Sequence, residues 1–212
     1  MGNLNGYLAM ESGVTDLCEA SLSSLNTAGV TVEATQPQFS LTDLWQAWTT
    51  IRHSARTSYR RYYDDPKMRS LLKPELVWEI EQSMILTDAD REVANRIRAN
   101  WYRELDRLFG EYDFLALPSA QVFPYPKEIH WPQEIAGRQM DTYHRWMEVV
   151  ILGSLGGIPV INLPVGFDQQ GRPMGMQIMG RFGADQQVLE FALAYEAVTD
   201  HLQRRPELVA AL

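Results

Sequence analysis

Apolar and polar positions along the chain sort into helical and extended stretches. From Val14 to Ala28, apolar residues recur at helical spacing (Val14, Leu17, Cys18, Leu22, Leu25), and Gly29 supplies a stop. Val30 to Thr35 follows as a short β-branched strand, and together they form a helix–strand unit of α/β type. Ser40 with Asp43 has the form of a capping box. It opens a helix through about Tyr63, with Leu41, Leu44, Trp45, Trp48, Ile51 and Ala55 on its apolar face. Further helices are expected from Asp65-Pro66, from Pro74 to Leu86, and from a second capping box at Thr87 and Asp90 to Gly110. The stripes Trp45/Trp48 and Trp101/Tyr102 sit at helical spacing and read as core or interface. Asp113 to Leu117 is a buried strand, Met140 to Leu152 a helix, and Asp185 the cap of a last helix through Gln203.

Between these helices the pattern changes. Of the 14 glycines, eight lie between Gly153 and Gly183. Two extended runs, Ile158 to Phe167 and Met174 to Gly180, flank Asp168–Pro173, whose Asp, Gly and Pro make turns. A hairpin with a longer loop is expected. Pro159 and Pro164 each lack a ladder donor, so the first strand lies at an edge, carries a bulge, or runs beside a pocket. The second presents Met174, Met176 and Ile178 on one face and Gly175, Gln177 and Met179 on the other. By pattern alone this is a core hairpin with a Gly-rich lead-in. The long segment between the Pro118-Ser119 break and Met140 has the length of a pocket wall or lid.

Composition narrows the class. At 212 residues, 45% hydrophobic and 22% charged, the chain fits a single globular domain spanning 1–212 or a large part of a bigger one. A net charge of −8 argues against nucleic-acid and anionic-membrane surfaces. No run approaches the ~20 apolar residues a membrane-spanning helix needs. The N-terminus has neither a basic segment nor a long apolar run, so no signal peptide is read. A lone Cys18 on an apolar helix face fits a buried, inert thiol and a reducing, cytoplasmic setting.

Several spacings together are specific. Gly157 to Pro159, Pro164 to Phe167, Gly175 to Gln177, and Gly180 with Arg181 resemble the C-terminal segment of the amidase signature family. Gly6-Tyr7-Leu8 with Glu11, the Leu117-Pro118-Ser119 strand end and Asp141 to Val150 extend the resemblance over about residues 4 to 200. The resemblance implies an α/β fold, the C-terminal portion of a mixed twisted sheet flanked by helices, with four strands (30–35, 113–117, 158–167, 174–180) and six or seven helices here. It implies hydrolysis of carbon–nitrogen bonds by a Ser–cis-Ser–Lys set in the N-terminal half, with oxyanion stabilisation by Gly-rich backbone N–H groups. That set is absent. Ser23-Ser24 is the only adjacent serine pair and sits between leucines, and Lys67, Lys73 and Lys127 precede no Gly-Ser tract. The chain therefore reads as beginning inside a domain, as the substrate-wall half, inactive alone. The alternative is a non-catalytic binding or interaction module derived from an amidase.

By position in the family pattern, Ser119, Ala120, Phe123, Tyr143, Trp146 and Ser154 are candidates for the substrate pocket, and each serves equally well as core packing. Ser154 in Gly153-Ser-Leu-Gly-Gly157 is no nucleophile elbow, since it follows a helix and precedes a strand, the reverse of the required order. Four histidines without i,i+4 pairs or cysteine partners give no metal site, and no phosphate-cradling motif calls for a cofactor. The expected partners are a small amide in the complete enzyme and either the N-terminal half or a second copy covering the exposed sheet, in a homo-oligomer.

Overall fold

The structure, a computed structural model, describes residues 1–204, which divide into two compact units: residues 1–37 with 106 onward, and residues 38–105. The second unit is helical. It holds α2 (Leu41–Ala55), a 3₁₀ turn Arg56–Tyr59, α3 (Arg60–Asp64), α4 (Pro66–Arg69), α5 (Pro74–Ile85) and most of α6 (Asp88–Glu111). Its starts follow the expected chemistry. Ser40 Oγ accepts from the Asp43 amide at 3.2 Å, and Thr87 and Asp90 exchange two bonds across the capping box at 2.8 and 3.2 Å. Pro66 and Pro74 open α4 and α5, where a missing N–H costs nothing. Trp101 is fully buried with its ring 5.4 Å from Phe39, and Trp45 stacks on Trp48 at 5.6 Å.

The first unit carries α1 (Val14–Ser24), continued as a 3₁₀ turn Leu25–Ala28, then β1 (Phe114–Pro118), β2 (Glu134–Ile135) and β3 (Arg138–Gln139). A 3₁₀ helix Arg145–Val150 leads into α7 (Ile151–Gly156), β4 (Val160–Phe167), β5 (Pro173–Gly180) and α8 (Asp185–Ala197). The main sheet has the order β1-β5-β4, antiparallel throughout. β4 is an edge strand, with a register shift between Pro164 and Gly166, which accommodates the two proline positions. Gly166 takes φ 114°, open to glycine alone without strain, and the His201 ring lies 3.5 Å from where a Cβ would stand. Met174, Met176 and Ile178 join Leu163 and Val165 on one face and pack on Val14, Cys18 and Leu25 from α1 and its 3₁₀ extension, and on Ala192 and Tyr195 from α8.

Four expectations need correction. Residues 30–35 form no strand, and Val32 is 44% exposed. β-branched residues favour an extended backbone, whereas a strand also needs a ladder partner, and a cleft lies where that partner would be. The helix expected over Met140–Leu152 starts instead at Arg145, runs as 3₁₀ to Val150 with a non-helical Met147 (φ −115°), and becomes α only at Ile151; side chains from elsewhere take the Val149 backbone groups (below). The last helix ends at Ala197, with a separate 3₁₀ turn His201–Gln203 that places His201 against Gly166 and Ser21. Asp185 is the first residue of α8 and Ala184 its cap. The 120–139 segment also contains a hairpin, β2–β3, whose two turn residues Ala136 and Gly137 both have positive φ (48° and 80°), the type that matches strand twist.

Candidate functional site

Two buried glutamines build the frame. Gln121 donates to the Ala9 carbonyl at 2.9 Å and accepts from the Val149 amide at 3.1 Å. Gln177, on β5, donates to the Pro118 and Val149 carbonyls at 2.9 and 3.0 Å. Both main-chain groups of Val149 are thus held by side chains, one from the long loop and one from the sheet. This fixes the Arg145–Val150 turn over the sheet face opposite the main core and replaces α-helical bonding there. The Gly-x-Gln spacing pointed at Gln177, but no local signal distinguished Gln121 from an ordinary loop glutamine.

The same turn carries a charged cluster. Glu148, 4% exposed, accepts from Tyr7 Oη at 2.8 Å and from Arg145 Nη1 at 2.9 Å, and Arg145 also grips Asp141 through two bonds at 3.0 and 2.9 Å. Burial raises the Glu148 carboxyl above its ordinary value despite the opposing pull of Arg145. Hydrogen bonding from Arg145 lowers Asp141. Arg138 reaches the Gly6 and Tyr7 carbonyls, tying the β2–β3 hairpin to the N-terminal loop.

Above this frame stands an aromatic group. Trp146 lies edge-on to Tyr125 at 5.8 Å and to Tyr143 at 6.3 Å, and Trp131 lies edge-on to Tyr143 at 6.2 Å. Burial, with Tyr143 close by, raises the Tyr125 phenol. Trp146 Nε1 is buried with no hydrogen-bond partner among the described residues. A buried donor without an acceptor is costly, so this N–H is free to meet one.

Of the candidates, Tyr143 and Trp146 come together in this group. Ser119 and Ala120 follow β1; the Ser119 amide donates to the Gly175 carbonyl at 2.9 Å, and Ala120 packs against the main core. A Cβ on Gly175 would stand 2.7 Å from Ser119 Oγ and 2.5 Å from Asn162 Oδ1, so glycine is what lets these polar groups close over β5. Phe123 is 1% exposed, inside the main core, with the Arg172 guanidinium 4.8 Å from its ring centre. Ser154 is exposed on α7, and its carbonyl accepts from the Gly157 amide. Ser23 Oγ bonds the Glu19 carbonyl within α1, a helical serine in a structural role. Among the described residues, no three His, Cys, Asp or Glu side chains are grouped to hold a metal ion, and no helix is long and apolar enough to cross a membrane.

The family model called Amidase matches residues 3–189. The chain belongs to the amidase family. A glutamyl-tRNA(Gln) amidotransferase subunit of Synechococcus sp. (strain RCC307) is 32% identical over 120 residues, 57% of this amidase chain and 24% of that protein. Its counterpart in Symbiobacterium thermophilum is 33% identical over 123 residues, 57% of this chain and 23% of its own. A bacterial aryl acylamidase of the amidase signature enzymes superposes with a TM-score of 0.80 at 20% identity, covering 95% of this chain and 44% of that one. A 6-aminohexanoate cyclic dimer hydrolase gives 0.78 at 19%, with 97% and 45% covered. The fold is theirs, and the chain spans less than half the length of these relatives.

Proposed function

We propose that this chain is the substrate-wall half of an amidase acting on carbon–nitrogen bonds of small or aryl amides in the cytoplasm, and is inactive alone. The observation that carries the reading is the Tyr125–Trp131–Tyr143–Trp146 wall with its unpartnered indole N–H, on a fold shared with an aryl acylamidase. Such a wall stacks a planar acyl or aryl group edge-to-face, and the indole N–H meets an acceptor on the substrate. Ser119 and Ser154 are proposed to border the same amide, whereas Ala120 and Phe123 pack in the main core.

In the complete enzyme a serine supplied with the Ser–Ser–Lys set attacks the amide carbonyl and expels the amine. Water then hydrolyses the acyl-enzyme. The partner of this half is therefore the polypeptide that carries that set. The test is amide hydrolysis by the purified chain on a panel of aliphatic and aryl amides, with Ser154→Ala as control. No amine release is expected from either protein. Turnover that Ser154→Ala abolishes would overturn the reading and give this half chemistry of its own.

A further inference from the structure

Behind the bulge of β4 runs a polar chain that the aromatic wall does not use. Ser21 on α1 and Tyr195 on α8 are 4% and 0% exposed, and their hydroxyl groups are hydrogen-bonded to each other. Tyr195 Oη also donates to the Pro164 carbonyl at 2.6 Å, and Ser21 Oγ lies 3.2 Å from His201 Nε2. A carbonyl can only accept, so the Tyr195 proton is committed to Pro164 and Ser21 must donate to Tyr195. Ser21 Oγ is then left to accept, which makes His201 the donor through Nε2–H. The chain runs one way, from His201 through Ser21 and Tyr195 to Pro164.

This order fixes the role of the other imidazole nitrogen. With the proton on Nε2, Nδ1 of a neutral His201 is an acceptor, and it is buried with no hydrogen-bond partner among the described residues. The ring lies on Gly166, where an added Cβ would stand 3.5 Å from Cε1 and 3.7 Å from Nδ1. Asp200 Oδ1 is 3.9 Å from Nδ1, beyond hydrogen-bond reach, and Arg204 holds the other Asp200 oxygen at 3.3 Å. From α1 the nearby titratable group is the Cys18 thiol, pushed up to about 12 by burial and so uncharged. The Tyr195 phenol of α8 is raised in the same way, and Pro164, Val165 and Gly166 of β4 carry nothing that titrates. Burial, with Arg204 on its side, outweighs Asp200 and holds the imidazole below its ordinary value.

We infer that His201 is a pH-sensitive clasp, which in its neutral form fastens residues 198–204 over the β4 bulge and which protonation opens. A proton added at Nδ1 enters a buried site with no acceptor in reach, a cost that a solvated imidazole escapes. The clasp is therefore fully closed above 6.5, the ordinary imidazole value, and weakens as pH falls through the lower docked value. What it loosens is the Pro164–Gly166 bulge, close to Asn162, whose amide stands with Ser119 Oγ around Gly175. The inference rests on this packing and not on the amidase reading.

The test is residue-resolved amide exchange on the whole chain from pH 7.5 to 5.5, corrected for the intrinsic pH dependence of exchange, against His201→Gln and Ser21→Ala. The Gln203 and Arg204 amides, bonded to the Asp200 and His201 carbonyls, report the turn. Linkage through one proton makes opening up to about tenfold more frequent per pH unit below 6.5. His201→Gln keeps a donor near the Nε2 position and cannot titrate, so its corrected exchange should stay flat. Ser21→Ala removes the acceptor and should open the turn already at pH 7.5. Unchanged protection in the central strand β5 reports that each protein is folded, and if Ser21→Ala fails that check the comparison with His201→Gln still decides. Exchange in the parent that runs parallel to His201→Gln would overturn the inference. So would slower exchange at pH 5.5, which would mean that Asp200 captures the new Nδ1 proton and tightens the turn.

Discussion

Replacing Gln177 by Met tests whether the clamp on Val149 holds the site together. The two side chains have nearly the same length, so packing is kept and both N–H donors are removed. Gln177 is 4% exposed, and its bonds to the Pro118 and Val149 carbonyls are 2.9 and 3.0 Å. Leaving a buried acceptor unmade costs about 1–3 kcal/mol, partly offset by the apolar thioether, so a net loss of about 2–4 kcal/mol is expected. Against the ~5–15 kcal/mol typical of a folded domain this is a large fraction. Urea unfolding should show a lower midpoint with an unchanged slope, and amide exchange should accelerate over residues 145–152 before it does in β4. Gln121→Met acts on the Val149 amide, so the double variant should lose less than the sum of the single losses, the second change meeting a turn already loosened. A Gln177→Met protein within about 0.5 kcal/mol of the parent would refute the clamp.

Other expectations follow from single groups. Burial pushes the Cys18 thiol up to about 12 from 9.0, so at pH 8 its alkylation by iodoacetamide should be about a thousandfold slower in the folded chain than in urea. Rapid labelling without unfolding would contradict the packing of α1 on β5. Ala136 sits at φ 48°, so Ala136→Gly should raise stability by up to about 1 kcal/mol, read as a higher urea midpoint; a loss of that size would mean the β2–β3 turn is not left-handed. Glu148 has a raised folded pKa, so the folded chain holds its proton longer than the unfolded one. Its contribution is then full below the ordinary 4.5 and is lost as pH rises above it. Asp141, lowered, acts in the opposite sense, its contribution present above 3.8 and lost as pH falls below. Stability measured from pH 4.5 to 7 should therefore fall less in Glu148→Gln than in the parent, and parallel curves would refute the assignment.

Much of the fold was legible in local sequence. Capping pairs at Ser40/Asp43 and Thr87/Asp90, prolines at Pro66 and Pro74, and period-two alternation in the hairpin act within a few residues, so helix starts and strand faces could be read directly. The spacing of Gly157, Pro159, Pro164, Gly175 and Gln177 pointed to the family. What tertiary structure decided depended on partners far along the chain. Residues 30–35 carry strand composition, yet a strand exists only where another backbone completes the ladder, and beside them lies a slot. Met140 to Leu152 carries helical spacing, yet Gln121 and Gln177, 28 positions from Val149 on either side, take its amide and carbonyl. Propensity is a property of neighbours in sequence, whereas these hydrogen bonds belong to neighbours in space. The aromatic wall shows the same division: Tyr143 and Trp146 could be named from the chain, but the loop and turn had to fold against each other before Tyr125 and Trp131 joined them in one surface.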